Sequence, residues 1–180
     1  MELLEGIRTR RSVRTFADRP VSRETLTEII ATARFAPSWK NTQTARYVVI
    51  DDRAVMERVA AEGVMGLAHN AGIIRGAAAL VVLTSVNGLC GYEKDGSFTT
   101  SKGIQWQMFD AGIAAQTFCL SAHAFGVGAV IMGIFDEKEV ARVIGLDDSV
   151  TVSALIAVGY PAAPLGEGRR EDTEKFVTFI

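Results

Sequence analysis

Apolar positions along this chain follow two spacings, one typical of helices and one typical of strands. Helical spacing predicts helices over residues 2–9, 23–35, 53–62, 104–125 and 136–144. Apolar runs of strand length predict strands over residues 45–51, 77–86, 127–133 and 151–159. Residues 63–76, rich in glycine and alanine, predict neither element clearly. Because strands and helices alternate with connections of mixed length, we expect one α+β domain over residues 1–180 with a central sheet.

Capping residues support two of these helices. Ser22 is a suitable N-cap for the helix over residues 23–35. Asp136 and Glu139 have the spacing of a capping box, in which the two side chains accept hydrogen bonds from each other's backbone N–H groups. The sequence therefore predicts well-defined starts for both helices.

The segment of residues 104–125 is apolar on almost every side, so it is expected in the core or at a subunit interface. Several glutamines, Asp110 and His123 interrupt it too often for a membrane span. The chain also ends in a strand-like apolar pattern between Phe176 and Ile180. Such a tail must pack against something, and a second subunit would provide a surface for it.

Composition and charge favour an oligomeric protein and argue against a general nucleic-acid or membrane binder. Apolar residues make up 48% of the chain, which is high for a small monomer and again favours a subunit interface. The net charge of −2 gives no general attraction to nucleic acid or to anionic membranes. The N-terminus has no continuous apolar segment of the signal-peptide type, so we expect a cytoplasmic protein.

The cysteines and histidines show no metal-binding spacing. Cys90 and Cys119 form no Cys-x-x-Cys motif, and His69 and His123 are far apart in sequence. We therefore expect no zinc site and a reducing compartment.

Arginines are concentrated near the N-terminus. Residues 1–34 contain seven arginines and no lysine against five acids. Forked, permanently charged donors with a nearby hydroxyl suit a phosphomonoester, and here they are Arg10, Arg11, Ser12 and Arg14. The alternative is a solvated face that forms surface ion pairs.

Two loops are candidates for binding. Residues 36–43 combine five hydrogen-bonding side chains with Trp39, although an ordinary polar connection would explain them equally well. Residues 87–103 form the longest segment without periodicity, and loops of this length are often lids or binding loops.

Several segments together resemble the nitroreductase family of FMN flavoproteins. Residues 10–16 and 36–43 resemble the two N-terminal signatures of that family. Residues 110–115 resemble its central helix, residues 126–136 its late flavin-contacting turn, and residues 157–161 its closing strand. The order is the same along almost the whole chain. The resemblance implies a mixed central sheet flanked by helices, in an interlocked homodimer with FMN at the subunit interface.

The resemblance also implies which residues contact the flavin. Four residues would hold the FMN phosphate and ribityl chain, namely Arg10, Arg11, Ser12 and Arg14. Arg14 would reach the N1 and O2 edge of the ring, where a cation favours the anionic reduced flavin. A tail arginine would close on the phosphate, either Arg169 or Arg170, with Arg169 preferred.

The remaining implied contacts come from other segments. Met132 and Gly133 would lie along the N5 and O4 side of the ring through backbone groups, and Asn70 near its pyrimidine edge. The loop of the other subunit would line the flavin with Pro37, Ser38, Trp39 and Asn41. Trp39 and Lys40 stand where smaller residues are common in the family.

The activity implied is transfer of hydride from NADH or NADPH through flavin N5 to a nitroaromatic, a quinone or a similar acceptor. The cofactor carries this chemistry, so no side chain is expected to act as catalytic acid or base. Three alternatives stay open: a flavin-binding or redox-sensing module with little turnover, a flavin-consuming or dehalogenating enzyme on the same scaffold, and a basic arm for RNA.

Overall fold

The computed structural model describes every residue from Met1 to Ile180. The helices are α1 (Leu3–Thr9), α2 (Arg23–Ala33), α3 (Arg53–Arg58), α4 (Ala68–Gly76), α5 (Gln105–Ala124) and α6 (Glu137–Ile144). The strands are β1 (Ala45–Ile50), β2 (Ala79–Val86), β3 (Gly128–Met132) and β4 (Val150–Gly159). Each predicted helix and strand is present, and α4 occupies the stretch without a clear pattern.

The four strands form one sheet in the order β1-β2-β4-β3, so β1 and β3 are its two edges. The expected α+β class is confirmed. Every pair of neighbouring strands is antiparallel, and the parallel component expected of a mixed sheet is limited to one isolated bridge between Ser12 and Ala129.

Helices cover both faces of the sheet. On one face α2 and α5 bury Val81 together with Phe118, and on the other α3, α4 and α6 bury Leu80 together with Ile74. Successive residues of a strand point to opposite faces, so a strand covered on both sides is apolar at nearly every position. This arrangement explains the continuous apolar run of β2.

Helix starts follow the predicted caps with one difference. The Ser22 side chain caps α2, and the Asp136 side chain accepts hydrogen bonds from two N–H groups in the first turn of α6. The other half of the expected capping box is absent, because the N–H of Asp136 donates to the carbonyl of Gly63 and the carboxylate of Glu139 pairs with Arg142. Asp136 therefore also joins α6 to the π-helical turn (Val59–Gly63) that follows α3.

Two helices keep exposed apolar side chains. Leu3, Leu4 and Ile7 of α1 are exposed, and so are Met108 and Phe109 of α5. The sequence predicted α5 in the core or at a subunit interface. In one chain the core covers only part of the helix. None of the helices combines the length and apolar character that a membrane crossing requires.

Candidate functional site

The N-terminal arginine cluster lies at the free edge of β3. Ser12 forms the bridge with Ala129, and the N–H of Val13 donates to the Ala129 carbonyl at 3.0 Å. The buried side chain of Val13 packs on Gly128, where an added Cβ would lie 2.6 Å from Val13 Cγ2. Ser12 and Arg14, on either side of Val13 in the chain, are exposed. The pairing therefore presents their side chains at the sheet edge.

Arg11 is bound by backbone carbonyl groups. Its Nε donates to Gly166 at 3.0 Å, and its Nη1 donates to Arg8 at 2.6 Å and to Arg10 at 2.9 Å. Its Nη2 makes no hydrogen bond within the chain. Arg11 thus holds the C-terminal tail against the cluster, a role that the sequence did not indicate.

Gly168 brings a second guanidinium to Arg11. An added Cβ on Gly168 would lie 2.9 Å from Arg11 Nε and 3.1 Å from Arg170 Nη1. Arg169, the tail arginine preferred from the sequence, is exposed and its side chain makes no hydrogen bond. Neither Arg11 nor Arg170 forms an ion pair, and the same is true of Arg10, Arg14 and Arg169. Such a group of unneutralised guanidiniums fits a phosphate.

Arg10 and Arg11 line a cavity of about 210 Å³ with Cys119 and His123 of α5. The Nε2 atom of His123 is hydrogen-bonded to the hydroxyl of Thr9 at 2.9 Å. Burial lowers the pKa of His123, and the charges of Arg10 and Arg11 lower it further. Burial also raises the pKa of Cys119 to about 11. Both side chains are therefore neutral at pH 7 and leave the charge of Arg10 uncompensated.

Three residues predicted to contact the flavin ring lie at the other end of the β3 edge, namely Met132, Gly133 and Asn70. Met132 is buried, whereas Gly133 is exposed, with no atom within 4 Å of an added Cβ. Asn70 Nδ2 donates to the carbonyl of Ile134 at 3.1 Å. Gly133 lies four residue steps after Ala129, a rise of roughly 13 Å along the strand. The arginine cluster, Gly133 and Asn70 thus share one open edge of the sheet.

The loop of residues 36–43 lies at the opposite edge, because it leads into β1. Three strand intervals separate the β1 and β3 edges, roughly 14 Å. The positions along α5 agree, since the loop bonds to Asp110 and the arginine cluster shares a cavity with His123, roughly 20 Å further along the helix. A single chain therefore does not bring this loop to the cluster, and the predicted residues so separated are Pro37, Ser38, Trp39 and Asn41.

The loop has a strained backbone. Three of its residues other than glycine have left-handed conformations: Lys40 (φ 44°), Asn41 (φ 55°) and Gln43 (φ 49°). The N–H of Gln43 donates to Ser38 Oγ at 2.9 Å and closes the loop on itself. Strain of this kind is typical of functional sites and persists only when surrounding contacts hold it.

Trp39 anchors the loop to α5 at two points. Its N–H donates to Asp110 Oδ2 at 2.8 Å, and its indole packs on Trp106 with 4.7 Å between ring centroids. The Trp39 Nε1 atom is buried without a hydrogen-bond partner, as are the hydroxyls of Thr42 and Thr44. Buried polar groups normally have a partner, so these three atoms add an energetic cost to the loop beside its left-handed residues.

Three aromatic residues flank this loop: Tyr92, Trp106 and Phe109. Tyr92 and Trp106 are half-buried, Tyr92 packs on Phe98 at 4.9 Å, and Phe109 is 59% exposed. Phe109 extends the stack of Trp39 and Trp106 outward, with an edge-to-face contact of 5.4 Å to Trp106. The loop therefore stands beside an open aromatic surface.

Two residues with contacts at these sites were not predicted from the sequence. Asp110 was noted only as part of the central helix, although a single acid in the apolar α5 is a recognisable signal. Gly168 gave no signal, because its contact with Arg11 depends on the tertiary path of the tail.

Known proteins are similar to this chain along most of its length. The chain is 27% identical to an Archaeoglobus fulgidus protein provisionally named NADH dehydrogenase/NAD(P)H nitroreductase, over 89% of this chain and 86% of that protein. It is 29% identical to a Thermus thermophilus protein named NADH dehydrogenase, over 85% and 83% of the two chains.

Solved structures show the same fold. A nitroreductase family protein from Streptococcus pneumoniae superimposes with a TM-score of 0.85 at 19% identity, covering 99% of this chain and 100% of that chain. A Desulfovibrio desulfuricans protein, provisionally named a nitroreductase and solved in complex with FMN, has a TM-score of 0.78 at 27% identity, covering 100% and 98%. The family model described as "Nitroreductase family" matches residues 7–160, which include the arginine cluster, the polar loop and the whole β3 edge. On these grounds the chain belongs to the nitroreductase family.

Proposed function

We propose that the chain is an FMN-dependent oxidoreductase that uses NADH or NADPH to reduce a small-molecule acceptor. The observation that carries this proposal is the convergence of the unpaired guanidiniums of Arg11 and Arg170 beside a sheet edge that ends at Gly133. Membership of a family of FMN flavoproteins supports it, as do the FMN complex of the Desulfovibrio relative and the NAD(P)H nitroreductase name of the Archaeoglobus relative.

The residues along the β3 edge suit the parts of FMN in order. Arg10, Arg170 and the Ser12 hydroxyl would bind the phosphate by charge-assisted hydrogen bonds. The exposed Arg14 would lie beside the ring, and the open backbone at Gly133 would face its N5 side. Asn70, fixed to the carbonyl of Ile134, would border the pyrimidine edge.

A homodimer completes this site. The loop of residues 36–43 and the arginine cluster lie at opposite sheet edges of one chain, so the loop of one subunit would meet the cluster of the other. The exposed apolar residues of α1 and α5 offer the surface on which such a dimer forms. The apolar tail that ends at Ile180 is exposed in one chain and would be covered in the pair.

When bound, FMN supplies hydride and electron transfer between the nicotinamide and an acceptor such as a nitroaromatic or a quinone. The residues of the chain would bind the cofactor, orient it and stabilise its reduced form. Arg14 holds a permanent positive charge near the ring, which favours negative charge there. His123 is neutral and hydrogen-bonded to Thr9, so it is not placed to donate a proton at this edge.

An absorption spectrum of the purified protein, followed by anaerobic addition of NADH and NADPH, tests the proposal. We expect a flavin spectrum that bleaches with at least one nucleotide and returns with a nitroaromatic or a quinone. Recovery only with a halogenated aromatic would indicate a dehalogenating enzyme, and bound flavin that resists both nucleotides would indicate a sensing module. A colourless protein that takes up no FMN but binds RNA in a salt-sensitive manner would overturn the proposal.

A further inference from the structure

Asp110 is a buried carboxylate in a helix that is otherwise without charged residues. Its side chain is 5% exposed, and no arginine or lysine forms an ion pair with it. Its Oδ2 accepts two hydrogen bonds, from the N–H of Trp39 at 2.8 Å and from the thiol of Cys90 at 3.2 Å. Burying an unpaired carboxylate is unfavourable, so its place in α5 needs a reason other than the stability of the helix.

The loop above Asp110 needs contacts from outside itself. Its left-handed residues at positions 40, 41 and 43 cost free energy. Hydrogen bonds within the loop offset part of that cost: the N–H groups of Gln43 and Asn41 donate to Ser38, and the N–H of Thr42 donates to the carbonyl of Trp39. An exposed ion pair between Lys40 and Glu93 adds little, because solvent and salt screen it. The hydrogen bond from Trp39 to Asp110 is the buried, charge-assisted contact to the loop backbone, and such bonds are the stronger ones.

Trp106 fixes the same loop residue from a second direction. It lies one helical turn before Asp110, so its ring packs on the Trp39 indole while the carboxylate holds the Trp39 backbone. Together these two residues define both the position and the orientation of the loop. Of these two helix residues, only Asp110 bonds to the backbone of the loop, at Trp39.

We propose that Asp110 is a positioning residue that acts in trans: through Trp39 it shapes the loop that lines the flavin of the partner subunit. This inference rests on the proposed function, because it needs FMN between two copies. Asp110 is separated from the flavin cradle of its own chain, by which we mean the arginine cluster of residues 10–14. The loop that Asp110 holds precedes the β1 edge, whereas the cradle lies on the β3 edge.

The first test compares Asp110→Ala with Cys90→Ala in the purified holoprotein. Asp110→Ala releases the loop, and we expect FMN affinity to fall about tenfold, with a changed visible circular dichroism of the flavin that remains bound. Cys90→Ala removes the other hydrogen bond to the same oxygen and leaves the Trp39 contact. Its flavin affinity and circular dichroism should match the wild type.

A conservative variant controls for a general loss of stability in Asp110→Ala. Asp110→Asn keeps the shape and an oxygen that accepts from Trp39, but not the charge. It should recover most of the wild-type circular dichroism and lose less affinity than Asp110→Ala. Equal losses of FMN affinity in Asp110→Ala and Cys90→Ala would instead show that Asp110 and Cys90 serve only to pack the loop of residues 87–103.

Hybrid dimers test the action in trans. One subunit carries Arg10→Gln, which damages the cradle, and the other carries Asp110→Ala, with a different affinity tag on each. If Asp110 acts on the partner's site, one site of the hybrid has an intact cradle and an intact loop, and half of the flavin binds with wild-type affinity. The second site carries both defects.

The outcomes are separable. If Asp110 acted on its own subunit's flavin, each site of the hybrid would carry one defect, and no site of wild-type affinity would appear; that result would overturn the inference. A wild-type homodimer that binds no FMN would overturn the proposed function instead.

Discussion

Arg11 donates from its Nε atom to the carbonyl of Gly166 at 3.0 Å, a contact between residues 155 positions apart in sequence. Two further hydrogen bonds to the carbonyls of Arg8 and Arg10 hold the same guanidinium in place. This contact fixes the path of the tail at Gly168 and so brings Arg170 to the arginine cluster.

Replacing Arg11 by glutamine should therefore free the tail. We expect faster hydrogen exchange in residues 162–170, measured by mass spectrometry, and FMN binding weakened about tenfold because Arg170 is no longer held in place. Arg8→Gln is the matched control, since the side chain of Arg8 is exposed and makes no hydrogen bond. Unchanged exchange in the Arg11 variant would contradict the role of Arg11 in holding the tail.

Arg10 and Arg14 should differ in the part of the flavin that they recognise. Arg10→Gln removes a charge near the phosphate, so FMN affinity should fall about 10- to 100-fold while riboflavin affinity stays the same. Arg14→Gln removes a charge near the ring and should weaken both ligands. Titration of flavin fluorescence measures each constant, and equal sensitivity of FMN and riboflavin to Arg10→Gln would exclude a phosphate contact.

Gly128 permits the close approach of Val13 that seats the cluster on β3. In Gly128→Ala the new Cβ would lie 2.7 Å from the Val13 Cβ and 2.6 Å from its Cγ2, so one strand must shift. We expect a loss of about 1–3 kcal/mol in the free energy of unfolding, from denaturant titration. Gly72→Ala in α4 meets open space and should instead add about 0.4–1 kcal/mol. A neutral Gly128→Ala would show that the cluster is not seated by this contact.

His123 predicts a pH dependence of stability. Burial, with Arg10 and Arg11, lowers its pKa below the usual 6.5. The unfolded chain then binds a proton more readily than the folded chain, so stability is greatest above pH 6.5 and falls as the pH decreases through the folded pKa. In flavin-free protein, His123→Gln should flatten the acid side of the profile of Tm against pH. The exposed His69→Gln is the control, and parallel profiles for both variants and the wild type would refute the assignment.

The tail should be needed for assembly. Deleting residues 171–180 removes exposed Phe176, Phe179 and Ile180, which one chain leaves uncovered. We expect monomer or aggregate in light scattering after size exclusion, together with loss of flavin. A truncated chain that remains a dimer with bound FMN would show that the tail is not part of the interface.

Much of the fold could be predicted from local signals in the sequence. The continuous apolar run of β2, the cap at Ser22 and the long apolar α5 each depend on residues close in sequence. The resemblance to the family added the order of the flavin contacts. In the structure Asn70 donates to the carbonyl of Ile134, the residue after Gly133. Whether Met132, Gly133 and Asn70 contact FMN stays a prediction.

What could not be predicted depends on long-range pairing. The sequence does not reveal that β4 inserts between β2 and β3, which puts the two signature segments on opposite edges. Nor does it reveal that Arg11 is held by carbonyl groups of a distant tail, or that Asp136 donates to Gly63 instead of completing a capping box. Each competing partner lies far away in sequence, so no window of neighbouring residues contains it.

The separation of the loop and the cluster onto opposite sheet edges has a consequence for mass action. With FMN held between two copies, the constants for cofactor binding and subunit association are linked, and each ligand strengthens the other by the same factor. Dilution then releases flavin even at a fixed ratio of flavin to protein, and scarcity of flavin dissociates subunits. The fraction of yellow protein in a dilute sample would thus report how much of the chain is paired.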